Sequence, residues 1–133
     1  GATRIRQLRV AAGRCPVQQN IQTLIPECNV QYSWSNEDTE PYQTNWTSTI
    51  NASLPSEWTY SSQAELRGYP YVGSIAVYAG GGYIKVFKLS SLDELNALKN
   101  SNWIDKYTRA VFLEISLYNA QVDVFTSVTF LSE

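Results

Sequence analysis

From Ala110 to Tyr118 apolar side chains recur with a period of two, and no other feature of the 133 residues constrains the fold as strongly. Val111, Leu113, Ile115 and Leu117 fall on one face of an extended strand; Ala110, Phe112, Glu114, Ser116 and Tyr118 fall on the other. Asn119-Ala120 reads as a two-residue turn, and Gln121 to Leu131 returns as a second strand with Val122, Val124 and Val128 alternating. A second hairpin is predicted over Gly73 to Phe87: Ile75 and Val77 alternate with Ala76 and Tyr78, and Gly80-Gly81-Gly82 makes the turn. Ser62-Gln63-Ala64-Glu65 is a capping box that opens one or two helical turns. Ser91-Leu92-Asp93-Glu94 is another, leading a helix to about Asn100 with Leu92, Leu95 and Leu98 on one face. The expected class is α+β: an antiparallel sheet of the hairpins 73–87 and 109–131, with helices packed on one face, the 91–100 helix among them. Leu92, Leu95, Leu98, Val111, Leu113, Ile115 and Leu117 are the expected core.

The first half has a weaker period. Ile5 to Val10 is a short strand; its Arg6 and Arg9, with Arg4 just before, read as a solvated strand edge rather than a phosphate site. Gly13 to Asn29 holds a cysteine loop, where Pro16 can open a helical turn and Pro26 stop it. Residues 30–58 are polar and aperiodic, yet carry Tyr32, Trp34, Tyr42, Trp46 and Trp58. A loop of this length in a small domain is usually functional or disordered, and such large aromatics are expected to pack on something.

Composition removes several classes. The length suits a single domain with a sizeable core. There is no histidine, so His-dependent triads and imidazole zinc sites are absent, and two cysteines cannot build a four-thiolate zinc site. A formal net charge of -2 argues against a general nucleic-acid binder. The longest apolar stretch, Ala110 to Leu117, is interrupted by Glu114 and Ser116, whereas a membrane span needs about 20 apolar residues. The triple glycine lacks a following Lys-Ser/Thr and a helix, so it is not read as a phosphate loop. Gly1-Ala2 reads as an expression scar, on a chain cut from a longer protein.

Cys15 and Cys28 favour a disulfide in an oxidising compartment, against two free, buried thiols in a cytosolic protein. Asn45-Trp46-Thr47 and Asn51-Ala52-Ser53 are glycosylation sequons in one exposed polar stretch. Clustered beside the cysteine pair, they tip the reading toward an extracellular or lumenal domain.

Six motifs then occur in order: the Cys15/Cys28 pair, the segment from Trp58 to Leu66, Tyr78-Ala79-Gly80-Gly81-Gly82-Tyr83, Asn102-Trp103-Ile104-Asp105, Thr108-Arg109-Ala110-Val111-Phe112 and Tyr118-Asn119-Ala120. Together, from Arg4 to Phe130, they resemble the extracellular polycystin-mucolipin (TOP) domain of the polycystin family. The resemblance implies a part of a transient receptor potential cation channel of the ciliary or plasma membrane, lying between the first and second transmembrane helices. It implies tetramers in which four such domains form a lid over the pore and contact one another, with other polycystin subunits as partners. It also implies a Cys15–Cys28 disulfide in a loop region that reaches toward the neighbouring subunit, and glycans that keep Asn45 and Asn51 in solvent. Closing a loop of that size would stabilise by roughly 3 kcal/mol. Two departures stand out: Val72 precedes Gly73 where many polycystins have Trp, and Thr126-Ser127 replaces a cysteine found near Phe125 in polycystin-two-like members. The run from Arg109 to Glu114 reads more like the polycystin-one-like subgroup.

The leading expectation is thus a non-enzymatic assembly and gating-lid domain with no cofactor, monomeric when isolated, whose intersubunit surface lies between Cys15 and Trp58 with Trp34, Tyr42 and Trp46 as anchors. The alternative is a secreted carbohydrate-binding module that uses its exposed aromatics. A glycosidase would need two converging carboxylates, for which Asp105, Glu114 and Asp123 are the candidates. Their simpler reading is a turn cap or an ion pair with Arg109 for Asp105, and a solvated or paired strand face for the other two.

Overall fold

The arginine-bearing strand at the N-terminus runs near the middle of the sheet. The computed structural model describes residues 2–14, 21, 24, 28, 30–50, 56–88 and 92–133. In chain order the strands are β1 (Ala2–Arg9), β2 (Tyr42–Gln43), β3 (Thr47–Ser48), β4 (Tyr60–Ser61), β5 (Tyr71–Val72), β6 (Val77–Tyr78), β7 (Gly82–Phe87), β8 (Thr108–Asn119) and β9 (Val124–Ser132). The helices are α1 (Gln63–Leu66) and α2 (Leu92–Asn100). Five strands form one antiparallel sheet in the order β4-β7-β1-β8-β9, while β2 with β3 and β5 with β6 make two small ribbons. No described helix is long and apolar enough to cross a membrane.

Directly paired residues share a face. Ile5, Lys85 and Leu113 therefore lie on one side; Arg6, Ile84 and Phe112 lie on the other. Each side has its own cluster. On the first, Tyr83, Trp58, Trp103 and Leu98 of α2 are buried, flanked by Ile5, Tyr42, Trp46, Tyr60 and Phe87. On the second, Leu8, Val10, Tyr32, Tyr78, Ala110 and Phe112 are buried. Gln7, paired with Tyr83, is wholly buried on the first side, and its amide is satisfied: it donates to the Trp103 carbonyl and accepts from the Thr108 hydroxyl.

This arrangement corrects the expected core. Phe112 and Ala110 are the buried residues of β8, whereas Val111, Leu113 and Ile115 are half-buried and Leu117 is exposed. Of the α2 leucines only Leu98 is buried; Leu92 is 76% and Leu95 46% exposed. The physical reason is that both sheet faces are covered. The smaller aliphatic side chains of β8 share their face with a short helix and three tryptophans, while Phe112 fills the centre of the other.

The 109–131 hairpin is present, but its connection is longer than a two-residue turn. Asn119 pairs with Val124, leaving 120–123 as the loop. Asp123 adopts a left-handed φ of 51°, and the Asn119 side chain accepts from the Gln121 amide. Asn-Ala lacks the glycine that a tight two-residue turn with positive φ favours, so four residues make the reversal. The 73–87 hairpin is corrected. β6 pairs with β5, and β7 pairs with β1 and β4. The glycines serve close approach instead of a tight turn: Gly82 has φ +141°, and a Cβ there would lie 2.6 Å from the Gln7 carbonyl oxygen. The Ser62 capping box is formed in full, with Ser62 and Glu65 exchanging side-chain to backbone hydrogen bonds. Pro16, Pro26 and the Ser91 cap lie outside the described residues.

Burial holds five tyrosines above the ordinary phenol value: Tyr32, Tyr42, Tyr60 and Tyr83, and Tyr78 at about 12. Desolvation is the largest cause for each. The unfolded chain releases these protons near 10.0. The stability they contribute is therefore whole below that pH and is lost as pH rises through the folded values. Alkaline titration should show unfolding by circular dichroism together with a late, cooperative rise in tyrosinate absorbance. All nine tyrosines ionising near pH 10 with the fold intact would contradict this packing.

Candidate functional site: an aromatic segment stapled by buried arginines

Two guanidinium groups of β1 are buried, Arg6 at 3% and Arg9 at 2% exposure, so they are not the solvated edge expected from the sequence. A buried charge must find partners, and each arginine finds them far along the chain. Arg6 donates to the Ala79 and Gly81 carbonyls at 3.0 and 2.8 Å and to Glu114 at 3.3 Å, and its guanidinium lies 4.0 Å above the Phe112 ring. Arg4 joins it on the same carboxylate. Burial lowers the Arg6 pKa, and Glu114 opposes that shift.

Arg9 faces the opposite cluster. It makes a two-point pair with Asp105, Nη1 to Oδ1 at 2.5 Å and Nη2 to Oδ2 at 3.2 Å. Its Nε lies 3.7 Å from Asp38 Oδ2, too far for a hydrogen bond. The guanidinium stacks 3.5 Å over the Trp46 ring. Asp38, itself 2% exposed, donates its amide to the Arg9 carbonyl, while its carboxylate accepts from the Tyr42 hydroxyl at 2.8 Å and from the Glu40 amide at 3.1 Å. Tyr83 donates to the Glu40 carbonyl at 2.7 Å, and Tyr60 to Glu37 at 2.9 Å. Desolvation pushes the Glu37 carboxyl up, against hydrogen bonds from Tyr60 and Tyr32. The end of β1 thus staples a segment that has no periodic pattern of its own.

The segment's aromatics divide accordingly. Tyr42 and Trp46 are half-buried in the helix-side cluster, in edge-to-face contact with centroids 5.4 Å apart, and the Trp46 indole donates to the Asn102 carbonyl. Tyr32 and Trp58 are buried. Trp34 is 59% exposed, and its indole nitrogen donates to the Val77 carbonyl at 3.0 Å. That bond sets it beside the β5–β6 ribbon, where Val72, Ile75 and Val77 are also exposed. The result is an apolar surface of four side chains from two distant segments. The β5–β6 contribution was invisible in the sequence, where Ile75 and Val77 read as one arm of a hairpin with β7.

Asn45 is exposed, in a left-handed conformation with φ 64°. Asn51 and Cys15 lie outside the described residues; Cys28 is exposed, and no free cysteine remains among the described residues. The three candidate carboxylates do not converge. Asp105 caps its turn by accepting from the Tyr107 amide and pairs with Arg9 rather than Arg109; Glu114 pairs with Arg4 and Arg6 on the other face; Asp123 accepts from Tyr118. No group of three His, Cys, Asp or Glu side chains gathers among the described residues as metal ligands would.

A family model described as the polycystin domain matches residues 1–133, the whole chain. The chain belongs to the polycystin family. Polycystin-2 of Danio rerio is 35% identical over 136 residues, covering 100% of this chain and 14% of that protein. Polycystin-2-like protein 1 of Homo sapiens is 34% identical over 94% of this chain and 15% of its own length. Polycystin-1 of Homo sapiens is 34% identical over 97% of this chain and 3% of its own. The polycystin domain described here therefore spans a small fraction of each relative, and both subgroups match it about equally. Val72, one of the two departures from the resemblance, is exposed and paired with Val77 on the β5–β6 ribbon.

Proposed function

We propose that this polycystin domain is the extracellular assembly and gating-lid module of a polycystin-type transient receptor potential cation channel, set between the first and second transmembrane helices of its parent. The observation that carries the proposal is the family match over the whole chain. The geometry adds a surface suited to the role: Trp34, Val72, Ile75 and Val77 are exposed and apolar, and Trp34 stands on a segment fixed by buried ion pairs. In this reading four copies, from the same or another polycystin, meet above the pore at a plasma or ciliary membrane. Trp34 is the contact residue, whereas Tyr42 and Trp46 act by holding the segment in place. A Cys15–Cys28 disulfide restrains the adjoining loop, and glycans at Asn45 and Asn51 mark surface that stays in solvent. The membrane helices raise the effective concentration of the four domains, so each contact is weak and the isolated domain is monomeric.

Trp34→Ala tests this. An exposed side chain of this kind is expected to change the stability of the isolated domain by no more than about 0.5 kcal/mol. The same substitution in the parent chain should shift tetramers toward smaller species, read by size-exclusion chromatography with light scattering in detergent. Unchanged assembly would remove Trp34 from the interface.

A further inference from the structure

The turn that joins β5 to β6 presents main-chain donors that its own ribbon does not use. β5 and β6 share two residue pairs, Tyr71 with Tyr78 and Val72 with Val77, and the Gly73 amide closes the reversal on the Ala76 carbonyl at 2.9 Å. A ribbon this short has little stability of its own in water. The Ser74 and Ile75 amides lie inside the reversal, outside the ladder, and both meet the same side chain. Ser74 donates to Glu133 Oε2 and Ile75 to Glu133 Oε1, each at 2.9 Å. Glu133 directly follows β9 and lies 58 residues beyond Ile75 in the chain. The Ile75 carbonyl is taken as well, by the Gln31 side-chain amide at 3.1 Å, so this residue is gripped from two distant segments.

Successive amides aimed at one point form a concavity suited to an anion. Two oxygens of one carboxylate on two such amides make a forked, charge-assisted contact, stronger and more directional than a neutral one. The buried Tyr78 side chain adds its hydroxyl as a third donor. The Ile75 amide is the largest of the causes that hold the Glu133 carboxyl below its ordinary value, so the turn binds the charged form. Gly73 supplies the room. It is not among the residues with positive φ, so its place is not explained by backbone freedom. A Cβ there would overlap Glu133 Oε1 and lie 2.7 Å from Tyr78 Cε2. Sequence, turn and ligand thus agree: a residue with no side chain, two free amides, and an acid that reaches them from the end of another strand.

We propose that the Gly73–Ile75 turn is a carboxylate-binding site, that Glu133 is its resident ligand, and that filling the site is what holds the β5–β6 ribbon to the end of β9. Emptied of Glu133, the site takes a small free carboxylate. The ribbon bears the exposed side chains of Val72, Ile75 and Val77. Their presentation therefore depends on a clasp that closes only when the end of β9 is in place, and a displacement of that end is felt at the ribbon. The clasp needs no second copy of the domain and stands apart from the assembly reading.

Hydrogen exchange of the parent chain, read by mass spectrometry, tests this. In Glu133→Ala the amides of residues 73–78 should exchange about fivefold faster or more, the change expected for losing hydrogen bonds of this kind. Peptides from the buried part of β8 should keep their wild-type rates. Sodium acetate should slow the ribbon of the variant toward the wild-type rate, and sodium chloride at the same ionic strength should not. Neither salt should alter the wild type, whose site is filled. Glu133→Gln keeps the length of the side chain but leaves it one acceptor oxygen and no charge, and it should show a smaller change in the same direction. Unchanged ribbon exchange in Glu133→Ala, or equal effects of acetate and chloride on that variant, would overturn the proposal. Acceleration spread equally over β8 in both variants would overturn it too, because Glu133 would then brace the sheet and not the turn.

Discussion

Replacing Arg9 with methionine is expected to lower the unfolding free energy of the domain by about 3–5 kcal/mol, the range for removing one partner of a buried ion pair. Asp38 is as buried as Arg9, and without the guanidinium its charge would be left to neutral donors such as the Tyr42 hydroxyl and the Glu40 main-chain amide. The substitution also removes the two-point pair to Asp105 and the stacking on Trp46. Arg9→Lys should not rescue, because an ammonium group offers neither the planar fork nor the stacking face. Adding Asp38→Asn to Arg9→Met should restore part of the loss by removing the orphaned charge. Urea unfolding of the isolated domain gives the answer. A loss under about 1 kcal/mol, the value of an exposed pair, would mean that the staple is solvated.

Phe112→Ala is expected to cost about 3–5 kcal/mol, as for other buried aromatics. The ring is fully buried, with Tyr71 and Tyr78 at its edges and Arg6 above its face. Leu113→Ala, one residue along, should cost less, because Leu113 is only half-buried. The order of the two losses decides which face of β8 looks into the tighter core, and a larger loss at Leu113 would reverse the assignment.

What the sequence disclosed was local. The alternation of β8, the capping box at Ser62 and the extended character of residues 5–10 were each legible, because each is set by a few neighbouring residues. The position of β1 was not. Arg4, Arg6 and Arg9 read as an exposed edge because a strand of alternating charges normally faces water, and the carboxylates that neutralise them, Asp38, Asp105 and Glu114, lie in other segments. β7 was misassigned for a similar reason. A triple glycine between two apolar runs signals a hairpin, but β7 pairs along its length with β1, about 80 residues earlier, and that pairing leaves no local trace. The candidate site was half legible. The aromatic excess of residues 30–58 marked a segment whose rings must pack on something, and only the packing shows that Tyr42 and Trp46 face inward while Trp34 stays outside with the β5–β6 ribbon.

The central claim, that this polycystin domain assembles with its own kind above a channel pore, is tested most directly by electron cryo-microscopy of the parent protein in lipid nanodiscs. The account predicts four copies of the domain in a ring on the extracellular side, with Trp34 and Ile75 of each copy within about 4.5 Å of side chains of the next. Domains standing apart, with the Trp34, Val72, Ile75 and Val77 surface open to solvent in every copy, would contradict it.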